Sequence, residues 1–125
     1  MLRAIPVEIT TATDGSATDY TSCNVTGRVV GIKYAYGTLA ATTDLTITGE
    51  TSLSPILTVT DLAQANVHLC VRTLPVQNND GSAFTDATGD APLVYNERIK
   101  IVTAQGGDTK TGTVTFYLED ENFVG

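Results

Sequence analysis

Among the 125 residues of this chain, one histidine, two cysteines and fourteen carboxylates could carry covalent, metal or acid–base chemistry. A catalytic triad needs a base beside a nucleophile, and His68 is the single imidazole. It lies in the alternating run 67–72, where Val67, Leu69 and Val71 point inward and His68, Cys70 and Arg72 outward, so it reads as a surface histidine. Cys23 and Cys70 stand 47 residues apart in strand-like contexts and lack the paired spacing of zinc ligands. They read as small buried hydrophobes, with a Cys23–Cys70 disulfide as the alternative. Asp44, Asp61, Asp80, Asp86 and Asp90 fall at loop ends, where Asp is favoured for bonding its own backbone. The run from Asn78-Asn79-Asp80-Gly81 to Asp90 is dense in hard oxygen ligands, but aligning Gly81 with the glycine of an EF-hand loop puts Val76 and Ala87 at the outer ligand positions. Gly106-Gly107 is neither a phosphate loop nor a dinucleotide fingerprint, because no helix pattern follows it. The expectation is a protein that is not an enzyme and holds no cofactor or metal.

The elements that would position these residues are strands. Ile99–Leu118 consists of two alternating runs joined by Gly106-Gly107-Asp108, which reads as a β-hairpin with Ile99, Ile101, Val114, Phe116 and Leu118 in the core. Arg3 to Thr10 places Ile5, Val7 and Ile9 on one face, and Pro6, lacking a donor N–H, suits an edge. Arg28 to Tyr36 puts Val30, Ile32, Tyr34 and Tyr36 on one face, with Gly31 marking a bulge or close approach. Leu45–Thr48, Ile56–Thr60, Val67–Arg72 and a brief Leu93–Tyr95 follow, with a turn at Asp14-Gly15-Ser16. Asp61 to Asn66 is the one place where a helical turn is expected, capped by Asp61. Residues 77–90 read as a long polar loop. The pattern predicts an all-β fold: a single antiparallel β-sandwich over residues 1–125, jelly-roll-like, of about eight strands, with a short N-terminal arm and an acidic C-terminal tail.

Composition narrows the partners. The formal net charge is −7 and charged residues make up 17%, below the usual quarter. Such a chain is repelled by phosphate backbones and anionic membranes, and its basic residues Arg3, Arg28, Lys33, Arg72, Arg98, Lys100 and Lys110 form no run that could track a nucleic acid. The first residues do not read as a signal peptide, so a soluble chain made in the cytosol is expected. About one residue in six is Thr, which suits a pleated, half-wet surface.

Three stretches carry a resemblance: Gly27–Gly37; Asp44–Thr51 with Ile56–Asp61; and Glu97-Arg98-Ile99-Lys100-Ile101-Val102-Thr103-Ala104-Gln105-Gly106-Gly107 with Lys110–Val114. Together, over about half the chain, they resemble small virion proteins of tailed bacteriophages. The resemblance implies a cement or decoration protein, made in the host cytoplasm and bound to the capsid exterior of the virion, with the major capsid protein as partner and a homotrimer as assembly. Leu2, Arg3, Ile5 and Val7 of the arm, with Arg28, are the candidate capsid interface, the arginines pairing with capsid carboxylates. A tail or baseplate β module, or a lectin-like module using Tyr34, Tyr36, Tyr95 or Tyr117 as a platform, are the alternatives.

Overall fold

The computed structural model describes residues 2–69 and 92–119. Nine strands follow in chain order: β1 (Leu2–Thr10), β2 (Ala17–Tyr20), β3 (Val25–Ala35), β4 (Thr43–Gly49), β5 (Pro55–Leu62), β6 (Val67–Leu69), β7 (Leu93–Glu97), β8 (Ile99–Ala104) and β9 (Thr111–Glu119). They form two antiparallel sheets, the first ordered β1-β9-β3-β6 with β7 also on β3, the second β2-β8-β4-β5. The chain is an all-β sandwich, as the alternation predicts. Its core takes Ile5, Val7 and Ile9 from β1, Val29, Ile32 and Tyr34 from β3, Leu45 and Ile47 from β4, Ile99 and Ile101 from β8, and Val114, Phe116 and Leu118 from β9. The five residues singled out above for the core of the closing segment are all at most 1% exposed.

The closing segment is nevertheless not a hairpin. β8 pairs with β2 and β4, β9 pairs with β1 and β3, and the 105–110 corner carries the chain from one sheet to the other as an arch. The two alternating runs face each other across the core instead of bonding side by side. Thr11 holds this corner, its hydroxyl donating to the Gly107 carbonyl at 2.6 Å and accepting from the Lys110 N–H at 2.7 Å. Gly15 packs beside it, accepting from the Gly106 N–H at 2.9 Å; a Cβ on Gly15, whose φ is +84°, would stand 3.0 Å from the Gly107 nitrogen.

Four further expectations are corrected. The N-terminal segment is strand β1, paired with β9 from Leu2 to Thr10, and not a separate arm. Residues 61–66 contain no helical turn: β5 runs on to Leu62, and Asp61, at φ +51°, donates its N–H to Asp44 Oδ1 because extending the ladder satisfies more backbone than one isolated turn would. Cys23 is exposed with a free thiol, not buried; Cys70 lies outside the described residues. In β3 the core residue is Val29 and not Val30, since the register shifts between Val29 and Gly31, the bulge that Gly31 signals.

The count of nine against about eight has a simple origin. β6 lies opposite Ile32–Tyr34 and β7 opposite Val25–Arg28, so the two run in one line along the same edge of β3. They occupy one strand position, and beside the bulge the Val29 N–H donates to the Pro92 carbonyl at 2.9 Å. The predicted 77–90 loop, its calcium alternative with Asp80, Asp86 and Asp90, and residues 120–125 of the acidic tail all lie outside the described residues.

Candidate functional site

At one end of the sandwich the β2–β3, β4–β5 and β7–β8 connections are tied together by charge-assisted bonds. β4 and β5 are joined by the turn Gly49-Glu50-Thr51-Ser52-Leu53-Ser54, closed by the Leu53 N–H to the Gly49 carbonyl at 3.2 Å and the Gly49 N–H to the Ser54 carbonyl at 3.2 Å. Glu97, whose neighbour in register is the buried Val25, reaches from the first sheet to this turn in the second. Its Oε1 accepts from Thr51 N–H at 3.0 Å, Ser52 N–H at 3.1 Å and the Ser52 hydroxyl at 3.2 Å. Burial alone would raise the Glu97 pKa, but these donors outweigh it and the carboxyl is held below its ordinary value. A Cβ at position 49 would collide with Glu97 Oε1, so glycine there is what admits the carboxylate.

Arg98 adds a second clamp. Its guanidinium is bidentate to Glu50, Nε to Oε2 at 2.7 Å and Nη2 to Oε1 at 2.5 Å, and stacks 4.3 Å from the Tyr20 ring centroid. The hydrogen bonds from Arg98 pull the Glu50 pKa down, and Glu50 in turn raises that of Arg98. Thr21, buried beside Tyr20, donates its N–H to the Ile99 carbonyl at 3.0 Å and accepts the Ile99 N–H on its hydroxyl at 3.1 Å. What this bracing holds outward is Leu53, 62% exposed at a φ of +57°. The arrangement can fix a side chain in space for contact.

The outer face of the first sheet is a second polar surface. Tyr117 stands between Ala4 on β1 and Gly31 on β3, and His68 is opposite Lys33. Because Gly31 has no side chain, the His68 and Tyr117 rings approach across β3 to 6.3 Å between centroids, with planes 30° apart. Near the strand ends Glu8, Ala35, Gly37, Thr111, Gly112 and Thr113 line a hollow of about 160 Å³.

The fold divides the candidate interface residues between the core and one end of the first sheet. Ile5 and Val7 are 8% and 6% exposed and belong to the core, because alternation along β1 turns them toward the second sheet. Leu2 pairs with Glu119, and Arg3 with Leu118. Arg28 sits opposite Glu119 on β3, and both arginines are half-buried with partners within the chain. Of the tyrosine candidates, Tyr34 is fully buried and Tyr36 partly so, whereas Tyr95 is 66% exposed. His68 is exposed, as its place in the alternation predicts, and Asp44 serves the backbone of Asp61. Among the described residues no three His, Cys, Asp or Glu side chains gather around a possible metal. The braced turn was missed in sequence; its signal is a single large apolar residue, Leu53, inside the polar run Thr51-Ser52-Leu53-Ser54. Compared with known proteins, the sequence matches no family model, and neither a curated protein nor a solved structure matches the chain.

Proposed function

We propose that this protein is a structural component of a bacteriophage particle, a decoration protein that binds the outer surface of the head and stabilises it. The observation that carries the reading is the strand order, β1-β9-β3-β6 facing β2-β8-β4-β5, with β1, β2, β3 and β4 placed in alternate sheets. We read this order as a jelly roll, an architecture used by capsid and lectin domains. The phage-like stretches fall on β3, β4, β5, β8 and the start of β9, which are framework strands and their corners. A net charge of −7 suits an outer surface better than a DNA-filled interior, where the protein would meet concentrated phosphate.

In this reading the protein does no chemistry and acts by bridging neighbouring subunits of the major capsid protein. A homotrimer on local threefold positions matches the symmetry of a shell, and repetition turns modest contacts into firm attachment. With Ile5 and Val7 in the core, the contact passes to exposed loops and to the end of the first sheet where Arg3 and Arg28 flank the last residues of β9. The test is to heat particles with and without the protein and follow DNA release. Release at a higher temperature from complete particles, with labelled protein on heads, supports the proposal. Equal release temperatures with label on tails favour a tail or baseplate module. A carbohydrate-binding role is the second reading, favoured by the Tyr117 and His68 rings on the exposed face of the first sheet; retention on immobilised host polysaccharide that Tyr117→Ala abolishes would select it.

A further inference from the structure

Leu53 combines two unfavourable features. A leucine at φ +57° occupies the left-handed region, where its Cβ crowds the following carbonyl, and Gly or Asn fills such a position in a turn at lower cost. Its side chain is also 62% exposed, so burial within this fold returns little of that cost. The strain is not slack in a loose loop. The turn is fixed before Leu53 by Glu97 on the Thr51 and Ser52 N–H groups and by the Arg98–Glu50 clamp, and after it by the Ser54 carbonyl accepting the Gly49 N–H. Backbone strain of this kind persists where the surroundings over-determine it, and it clusters where a side chain must be presented in one direction.

We infer that Leu53 is the apolar anchor by which this protein docks into a socket on the outer surface of an assembled protein shell, an inference that rests on the decoration reading above. Two observations argue for a shell and against a second copy of this chain as occupant. Two copies apposed at this end would bring Glu97 of one toward Glu97 of the other, since Glu50 is paired with Arg98 while Glu97 meets neutral donors, a local repulsion that copies joined elsewhere do not incur. A single leucine also buries far less than the roughly 1,200 Å² or more that a stable one-to-one interface needs. On a shell the sockets recur, and an oligomer of this protein offers several Leu53 tips at once, so a small anchor suffices through avidity. The socket is apolar at its floor, with hydrogen-bonding groups at its rim to meet Thr51, Ser52 and Ser54, all exposed.

The experiment uses the full chain and head particles that lack it, with Leu53→Asn, Leu53→Ala and Leu53→Met. Asn accepts the left-handed conformation, Ala keeps the strain but removes the anchor, and Met keeps an apolar side chain. Leu53→Asn is expected to melt at or above the wild-type temperature and, with Leu53→Ala, to bind heads at least tenfold more weakly, while Leu53→Met binds like wild type. Sedimentation of the soluble protein should be the same for all four. The inference is overturned if Leu53→Asn binds heads as wild type does, if it melts several degrees lower, or if it loses self-association, which would seat the anchor on a second copy. Should the wild-type protein bind no heads, the decoration reading fails by itself; the same variants on tail particles then decide Leu53, which is no anchor if they bind as wild type or if nothing binds.

Discussion

At the residue scale the buried polar groups divide into those the fold answers and those it leaves alone. Thr11, Thr21 and Thr43 are buried, and each turns its hydroxyl onto backbone, Thr43 to the Ala40 carbonyl at 2.6 Å. Asp19 Oδ2, Tyr34 Oη and Thr103 Oγ1 are buried without a hydrogen-bond partner among the described residues. Burial pushes the Tyr34 phenol up, which leaves it neutral and harmless at neutral pH. Asp19 is different, since burial raises its pKa while neutral solution still favours the charge in the unfolded chain. A carboxyl raised on folding destabilises the native state above its native pKa, and the penalty fades as pH falls through the native pKa and is gone below the unfolded value. Asp19→Asn should therefore raise the melting temperature at pH 7 and lose that advantage near pH 3, where the wild-type carboxyl is protonated as well. A thermal melt series across this range checks it; an advantage that grows on acidification would mean Asp19 has a partner in solution. Glu50 and Glu97 run the other way, with depressed pKa values whose stabilisation is present above the unfolded carboxylate range and lost on acidification. None of this was legible in sequence, because which carboxylate meets donors depends on turns brought together from distant segments.

At the element scale, alternation made the strands legible but not their partners. Period two reports which side chains face inward, and Val114, Phe116 and Leu118 do. It is silent on whether two consecutive runs bond side by side or face each other across a core, since both arrangements bury the same residues. The Gly-Gly-Asp corner fits either, and here Thr11 and Gly15 from the β1–β2 connection secure it as an arch. The bulge at Gly31 was legible because glycine inside a strand carries a local reason; its consequence, Val29 in place of Val30 in the core, was not. β1 was legible as a strand with Ile5, Val7 and Ile9 on one face; what alternation could not show is that β9 pairs it from Leu2 on, which leaves no separate arm. Deleting residues 2–9 should abolish cooperative unfolding, because it removes Ile5, Val7 and Ile9 from the core and the ladder from one side of β9. A deletion that still unfolds in one sharp transition would restore the arm. Phe116→Ala, at 0% exposure, should cost about 3 to 5 kcal/mol in denaturant unfolding through the cavity it leaves; an unchanged midpoint would place that ring outside the core.

For the whole molecule, the pairing list has a kinetic consequence. β1 bonds β9, β2 bonds β8, β3 bonds β6, β7 and β9, and β4 bonds β8; β4 with β5 is the one ladder between strands consecutive in the described chain. Nearly every sheet contact must thus close a long loop before it contributes anything, and loop closure is entropically unfavourable ahead of the contacts that offset it. The single local ladder is the one whose turn holds Leu53 in a strained conformation. Slow folding is the expected outcome, in the millisecond-to-second range typical of β-sandwiches of high contact order. Every described peptide bond is trans, so the native state demands no cis proline in that part of the chain. Stopped-flow refolding from denaturant provides the check, and microsecond refolding would contradict the topology. Leu53→Asn refines the test: if the β4–β5 hairpin is formed in the transition state, relieving its turn accelerates folding and leaves unfolding unchanged; if the sheets meet first through β9, the relief appears instead as slower unfolding.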